Sequence, residues 1–309
     1  MTAPATNPAR PPVVGVVVTY FPDADFAARL AAIARETSQV IVVDNSANDS
    51  ARAAVRAACA PHGARLVENA ENRGLGAALN QAVAMLEPGV DWIVAFDQDS
   101  TPEPGFTDAL WRLAAAPGGR VAIVGANWRD EARPDKRAPQ LRRHPVVPFC
   151  FERVTSTQDL RGITCVITSG SLFHVPTLRQ LGGFNEELFL DLVDSELCLR
   201  TRAAGYDVAV AAGALMCHRR GAKRAVRCCG REWWPAFMPP SRLHYVFRNR
   251  ILVARRHGWR FPHWVMFELV FAAKILTEIL LFEDRKFRKF AACWIGTWHG
   301  LMGRAGQLP

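Results

Sequence analysis

Trp92-Ile93-Val94-Ala95-Phe96-Asp97-Gln98-Asp99-Ser100 decides the fold, because five apolar residues run without alternation and stop at two carboxylates one residue apart. An unbroken apolar run of this length reads as a strand buried on both faces, the kind found inside a parallel sheet. Open α/β sheets bind ligands in the crevice beyond the carboxyl ends of such strands, where strand order reverses. Asp97 and Asp99 are thus delivered to a ligand-binding edge. Two acids there need a cation, and hard oxygen ligands at this spacing suit Mg²⁺ or Mn²⁺ shared with the oxygens of a substrate diphosphate. The same acids would also open a turn and cap the helix after Pro102 and Pro104, so their meaning depends on the surroundings.

Those surroundings repeat the pattern. Val13-Val14-Gly15-Val16-Val17-Val18-Thr19 is a β-branched run broken by Tyr20-Phe21-Pro22-Asp23, and a helix through Leu30 and Ile33 follows. Val40-Ile41-Val42-Val43 ends in Asp44-Asn45-Ser46, another carboxylate at a strand tip. The first strand-to-helix turn has no G-x-G-x-x-G, which disfavours a dinucleotide site. Asp44 instead suits a nucleoside, accepting hydrogen bonds from base or ribose, or else caps the Ala-rich helix beginning near Asp49. After a short strand at Leu66-Val67, Asn72-Arg73-Gly74-Leu75-Gly76 leads into a helix from Ala77 to Leu86. Its glycines let backbone pass close to a ligand, and the helix start offers free N–H groups to phosphate. A helix around 106–115 and a strand Val121-Ala122-Ile123-Val124 continue the alternation, which predicts an α/β, doubly wound, mainly parallel sheet flanked by helices.

Residues 127–161 carry charges and prolines without a clear period, predicting a long loop or hairpin beside the site. Ile163 to Thr168 then leads to Ser169-Gly170-Ser171. A turn at Gly182-Gly183-Phe184-Asn185-Glu186 precedes Asp191-Leu192-Val193-Asp194-Ser195-Glu196, which places three acids at the start of a helix. A helix N-terminus favours acids by roughly 0.3–1 kcal/mol each, so stability alone would account for them in isolation.

In chain order, Val18-Thr19-Tyr20, Val43-Asp44-Asn45, Asn72-Arg73-Gly74, Asp97-Gln98-Asp99, Ser169-Gly170, Gly183-Phe184-Asn185-Glu186, Val193-Asp194-Ser195-Glu196 and His218 together resemble the inverting family 2 nucleotide-sugar glycosyltransferases of GT-A fold. The resemblance covers residue 13 to about 220. Within the family, the segments around Phe96 to Ser100, Glu187 to Glu196 and Tyr245-Val246-Phe247-Arg248-Asn249 are most similar to bacterial rhamnosyltransferases that use dTDP-L-rhamnose. The resemblance implies that Asp44 reads the nucleoside and that Asp97 and Asp99 serve the ribose-diphosphate and a Mg²⁺ or Mn²⁺ ion, with His218 near the metal or the diphosphate. It makes Asp194 the catalytic base. Substrate contacts are expected from Thr19, Asn72, Arg73, Gly74, Ser169, Gly170, Asp191 and Glu196. Asp191, three residues before Asp194, is expected to share its helix face. The chain departs from the family pattern at Val193, where an acid is common, and at Leu197, where an aromatic is common. The implied acceptor is a glycolipid or saccharide hydroxyl, of mono-rhamnolipid or lipopolysaccharide and O-antigen type. A transferase of another nucleotide sugar, or a noncatalytic nucleotide-sugar or membrane-binding module, is the alternative.

Composition bounds the remainder. The chain has 309 residues, half of them hydrophobic, enough for one sizeable core with an appendage. We expect a flexible tail over 1–12 without a secretory apolar segment, a catalytic domain over 13–220 and a basic, helical extension over 221–309, with a cytoplasmic location, peripheral on the inner membrane where the extension meets lipid. Eight scattered cysteines without a C-x-x-C pair indicate neither a disulfide framework nor a zinc site. The net charge of +9 is concentrated between Arg219 and Arg260, which hold twelve Lys or Arg against the single acid Glu232. No RNA-binding aromatic motif, zinc finger or basic zipper accompanies that strip, so nucleic acid is not an expected partner. Trp264 to Phe282 approaches a bilayer span in length, but Glu268, Lys274 and Glu278 each cost roughly 2.5–3.5 kcal/mol at a bilayer centre. It reads as an amphipathic helix whose apolar face packs on the catalytic domain, joins a second subunit in a homo-oligomer, or lies on an anionic membrane.

Overall fold

The computed structural model describes residues 10–219, 225–228 and 230–308. Most of the expected tail, and Arg220, Lys223, Arg224 and Cys229 of the basic strip, lie outside the described residues.

The chain opens as β1 (Val13–Thr19), α1 (Phe26–Glu36), β2 (Gln39–Asp44), α2 (Asp49–Cys59), β3 (Arg65–Glu68), α3 (Leu75–Ala84) and β4 (Trp92–Asp97). β5 (Ser100–Pro102), α4 (Phe106–Ala115), β6 (Val121–Asp130), β7 (Gln140–Arg143), β8 (Phe151–Val154), β9 (Ile163–Cys165) and β10 (Ser171–His174) follow. Next come α5 (Val175–Gln180), α6 (Val193–Ala203), β11 (Asp207–His218), β12 (Val226–Cys228) and β13 (Arg231–Trp233). Three helices end the chain: α7 (Pro240–His257), α8 (Pro262–Phe282) and α9 (Lys286–Leu301).

Eight strands make the main sheet in the order β3-β2-β1-β4-β10-β6-β11-β5. β3, β2, β1 and β4 are mutually parallel, as are β6 and β11, while β10 and β5 run against their neighbours. The register pairs Thr19 with Asp44 and Val18 with Asp97. Three strand tips therefore deliver their polar residues to one edge, on either side of β1, where the order reverses. Val16, Val17, Ile41, Val42, Ile93 and Val94 are all fully buried, which is why these strands read as unbroken apolar runs. One face of the sheet packs on α1, α2 and α4, the other on α3 and α6.

Residues 127–161 do contain a hairpin, β7 and β8, widened to three strands by β9. It packs on α8, with Phe151 and Phe267 edge to face at 5.3 Å. The α2 cap is Asn48, whose side chain accepts from Ala51 N, so Asp44 is free of the capping role. α3 begins two residues earlier than expected, directly after Gly74.

In the carboxyl-terminal region, Val253, Phe261 and Trp264 enter the core beneath the sheet. α7 and α9 lie against each other at Gly296 and Gly300, where an added Cβ would collide with the carbonyl oxygens of His244 and Arg248. Two small residues four apart let the backbones approach closely. The basic strip is not one solvated patch. Arg248 donates to the carbonyls of Leu188 and Gly306, Arg250 pairs with Glu268 at 2.8 Å, Arg255 donates to Leu301 O, and Arg256 pairs with Glu187. Arg248 and Arg256 tie the extension to the turn before α6, while Arg250 and Arg255 bind its own helices to one another.

α8 is amphipathic, as expected, but its two glutamates lie on the buried side while Lys274 is exposed. Glu268 and Glu278 are inside and Met266, Leu269, Val270, Leu280 and Leu281 outside. Among the described residues no helix is long and apolar enough to cross a membrane.

Candidate active site

The turn after β4 builds the centre of the site. Asp97 and Asp99 stand beside His218, the last residue of β11, with one potential ligand atom from each within 4.8 Å of the others. β5 pairs Ser100 with His218, which carries the distal end of β11 back to the tip of β4. Ser100 Oγ lies 2.8 Å from His218 Nδ1 and 2.6 Å from Ser169 Oγ, and Ser169 Oγ accepts from Asp97 N at 3.0 Å. This buried serine chain fixes the imidazole ring and leaves Nε2 facing Asp97 Oδ2 at 3.9 Å. Asp99 Oδ1 is buried, lies 3.2 Å from His218 Nδ1 and accepts no hydrogen bond among the described residues. Burial pushes the Asp97 carboxyl above its ordinary value and Asp99 and Asp191 add to that, against the opposing pull of His218 and Arg242. A buried carboxylate oxygen that accepts no hydrogen bond, a second acid beside it and an oriented imidazole fit a divalent cation of the Mg²⁺ or Mn²⁺ type.

Gln98, between the two acids, clasps the end of β1. Its Oε1 accepts from Tyr20 N at 2.7 Å and its Nε2 donates to Tyr20 O at 3.1 Å. One strand over, Asp44 is fully buried. Its Oδ1 accepts from Thr19 Oγ1, Ser46 N and Ser46 Oγ, whereas its Oδ2 has no partner among the described residues. That leaves one acceptor for a ligand N–H or O–H. Thr19 thus holds Asp44 rather than facing outward.

Several expected contact residues turn out to shape the site from below. Ser169 and Gly170 are buried under the acid turn. Gly170 takes φ +74°, donates to Ala95 O, and has no room for a Cβ against Met216 and Ala126. Asn72 Oδ1 accepts from Gly74 N, and Asn45 Oδ1 is 3.4 Å from Arg73 N. The glycines of this stretch admit protein rather than ligand. A Cβ on Gly74 would stand 2.6 Å from Phe189 O, and one on Gly76 2.9 Å from Asn185 O. Leu75 N donates to Phe189 O at 2.7 Å, so the start of α3 binds the turn before α6. Gly74→Ala is therefore expected to cost at least about 2 kcal/mol, from a φ of +82° that only glycine adopts easily and from displacement of Phe189. A lowered thermal midpoint together with reduced activity would show it; an unchanged midpoint would contradict the packing.

Among the described residues, that turn gathers three of the non-glycine residues with positive φ. Phe189, Asp191 and Leu192 all have φ near +60°, and none is glycine. The strain takes Asp191 off the helix, so it does not share a helical face with Asp194 as expected. Asp194 sits in the first turn of α6 and accepts from Ser195 N at 2.6 Å. Asp191 is instead bound by Arg242 from α7, with Nη2 2.8 Å from Oδ1 and Nε 3.1 Å from Oδ2. Asp191, with help from Asp97 and Asp99, holds the Arg242 guanidinium charged, which makes Arg242 a cation at the edge of the acid cluster. Asn249 donates to Leu188 O, Leu190 O and Asp191 O. Glu196 points elsewhere. It is buried and bound by Arg200 and His257, which hold its carboxyl below the ordinary value despite burial.

The sheet thus presents paired carboxylates, an imidazole and a buried acid with one unpartnered oxygen along the edge where its strand order reverses. The chain belongs to glycosyl transferase family 2, whose family model matches residues 16–182. It is 26% identical over 305 residues to a dTDP-rhamnosyl transferase, RfbF, of Shigella flexneri, covering 95% of this chain and 97% of that one. It is 27% identical over 286 residues to an N-acetylglucosaminyl-diphospho-decaprenol L-rhamnosyltransferase of Mycobacterium tuberculosis, covering 81% and 88%. Among solved structures, GalNAc-T7 with UDP, GalNAc and Mn²⁺ superposes with a TM-score of 0.57 at 11% identity over 79% of this chain and 47% of that one. S. aureus TarS 1–349 with UDP-GlcNAc gives 0.57 at 11% identity over 91% and 79%. The likeness to these two shows the GT-A fold.

Proposed function

We propose that this family 2 glycosyltransferase moves L-rhamnose from dTDP-L-rhamnose to a hydroxyl of a lipid-linked or saccharide acceptor by a single, inverting displacement. The observation that carries the reading is the convergence of Asp97, Asp99 and His218 at the sheet edge where Asp44 also ends. The choice of rhamnose is supported by two similar proteins named for rhamnosyl transfer, each matched along most of its length.

On this reading Asp44 Oδ2 accepts a hydrogen bond from the nucleoside, while Thr19 and Ser46 keep its other oxygen occupied. Asp97, Asp99 and His218 hold Mg²⁺ or Mn²⁺, which when bound offsets the charge of the donor diphosphate. Ser100 and Ser169 keep the imidazole turned toward the acids. Asp194 takes the proton from the acceptor hydroxyl as that oxygen attacks the anomeric carbon and the dTDP oxygen departs with the bonding electrons. Arg242 supplies positive charge beside the acids. Release of dTDP from dTDP-L-rhamnose, with and without EDTA and with UDP- and GDP-sugars as controls, tests this. Metal-dependent, acceptor-stimulated release of dTDP alone is expected. Turnover confined to a UDP- or GDP-sugar would reassign the donor, and nucleotide-sugar binding without transfer to any acceptor would make the chain a binding module.

A peripheral place on an anionic inner membrane is supported by the polarity of the last two helices. Glu268, Glu278 and Glu283 are buried and neutralised by Arg250, Lys274 and Lys289. The outer surface of α8 and α9 is left with apolar residues, including Phe287, Trp294, Ile295 and Trp298, beside exposed Lys286 and Arg288. Aromatic and basic side chains together suit a lipid interface. Trp294→Ser with Trp298→Ser should weaken binding to anionic vesicles at least tenfold, while turnover of a soluble acceptor is kept. A vesicle affinity that does not change, with a concentration-dependent dimer in lipid-free sedimentation, would assign the face to a second copy.

A further inference from the structure

A cavity of about 620 Å³ lies between the β7–β8 hairpin, the start of β9, the end of α6 and the turn joining α7 to α8, and none of Asp97, Asp99 and His218 lines it. Arg202, which lines it, follows Asp194 by eight residues along α6, placing the two about 12 Å apart along the helix axis. Four arginines face the cavity. Arg142 is paired with Glu152 at 2.6 Å and Arg202 with Asp207 at 3.4 Å. Arg143 and Arg260 have no acidic partner among the described residues. The first turn of α8, Pro262 and His263, adds the positive end of a 21-residue helix. His263 is buried, with Nε2 3.0 Å from Thr164 Oγ1 and Nδ1 without a partner. Burial, with Arg143 and Arg202 adding to it, pushes its imidazole down to about 4, so the ring is neutral and the two free guanidiniums carry the charge.

The rim of the cavity is apolar and projects outward. Trp259 is fully exposed, and the hairpin tip exposes Val146, Val147 and Phe149. α8 leaves the cavity with Met266, Leu269 and Val270 on its outer side. Exposed guanidiniums of Arg143 and Arg260 beside exposed apolar side chains match the chemistry of a bilayer surface, where phosphate and acyl chain adjoin.

We propose that this cavity binds the phosphate of an anionic lipid headgroup, with Arg143 and Arg260 as the ligating cations and Trp259 and the hairpin tip entering the interface. The proposal rests on the peripheral-membrane reading and gives it a defined headgroup site. It is tested by binding the full chain to vesicles of phosphatidylcholine with and without phosphatidylglycerol. Arg143→Gln with Arg260→Gln is compared with Arg35→Gln and Arg112→Gln, which remove equal charge from the exposed ends of α1 and α4. The first pair is expected to lower affinity for the phosphatidylglycerol vesicles at least tenfold and the second less than threefold, with thermal midpoints and turnover of a soluble acceptor unchanged in both. Equal losses from the two pairs would reduce the cavity to nonspecific attraction and overturn the site while leaving membrane binding intact. Failure of the unmodified protein to bind anionic vesicles would overturn both. Inorganic phosphate titrated without vesicles and followed by Trp259 fluorescence separates the sources, since saturation at micromolar phosphate would make the ligand a soluble phosphate and overturn the lipid assignment.

Discussion

Asp194→Asn is expected to lower rhamnosyl transfer at least about 10³-fold while the dissociation constant for dTDP-L-rhamnose changes less than threefold, because general-base catalysis contributes roughly 10²–10⁴. The substitution is nearly isosteric, and the new amide oxygen can still accept from Ser195 N as the carboxylate does. The helix start keeps its acceptor, and the substitution removes the carboxylate charge and with it uptake of the acceptor proton. Single-turnover transfer and equilibrium donor binding, measured on the same preparation, separate the two effects. Turnover within tenfold of the parent would take the base role away from Asp194.

The second large effect is expected from a residue far from Asp194 in sequence. Asn249 is fully buried on α7 and supplies three of the hydrogen bonds that hold residues 188–191, while its Oδ1 accepts from Arg248 Nε. Positive φ at a non-glycine residue costs about 1–3 kcal/mol, so three such residues in this turn require external ties. Loss of the Asn249 donor to Leu190 O and Asp191 O costs about 1–3 kcal/mol more for each, while Leu188 O keeps Arg248 Nη2. Asn249→Asp keeps the shape but removes the donor. It is expected to let the turn relax, misplace Asp191 and the first turn of α6, and lower transfer at least about 100-fold, equivalent to roughly 2.7 kcal/mol. A thermal melt shows that the variant is folded. If folded Asn249→Asp turns over within threefold of the parent, α7 does not support the catalytic turn.

What could be read in the sequence follows from how local its causes are. The strands ending at Thr19, Asp44 and Asp97 were legible because burial on both faces writes an unbroken apolar run into six or seven residues, and the acids at their ends are adjacent in the chain. The alternation of strand and helix was legible for the same reason. The purpose of Gly74 was not, because a glycine that admits a ligand and one that admits Phe189 look identical until a segment over a hundred residues away is placed. Arg242 and Asn249 act across 51 and 58 residues on Asp191, and nothing in the spacing of polar residues along α7 names their partner. The one available signal was Arg248-Asn249-Arg250, three polar residues in succession that only internal partners could bury in a helix. The polarity of α8 was inverted for a related reason. Glu268 and Glu278 share one face, but only Arg250 from α7 and Lys274 make that face the buried one.

The central claim is that this family 2 chain transfers rhamnose with a single base and one displacement. Proton NMR of the product formed from dTDP-L-rhamnose and a hydroxyl acceptor, recorded before equilibration, tests it most directly. The predicted result is a rhamnoside whose anomeric configuration is opposite to that of the donor, absent in EDTA and in Asp194→Asn. A product that retains the donor configuration, or transfer of a different sugar in its place, would contradict the account.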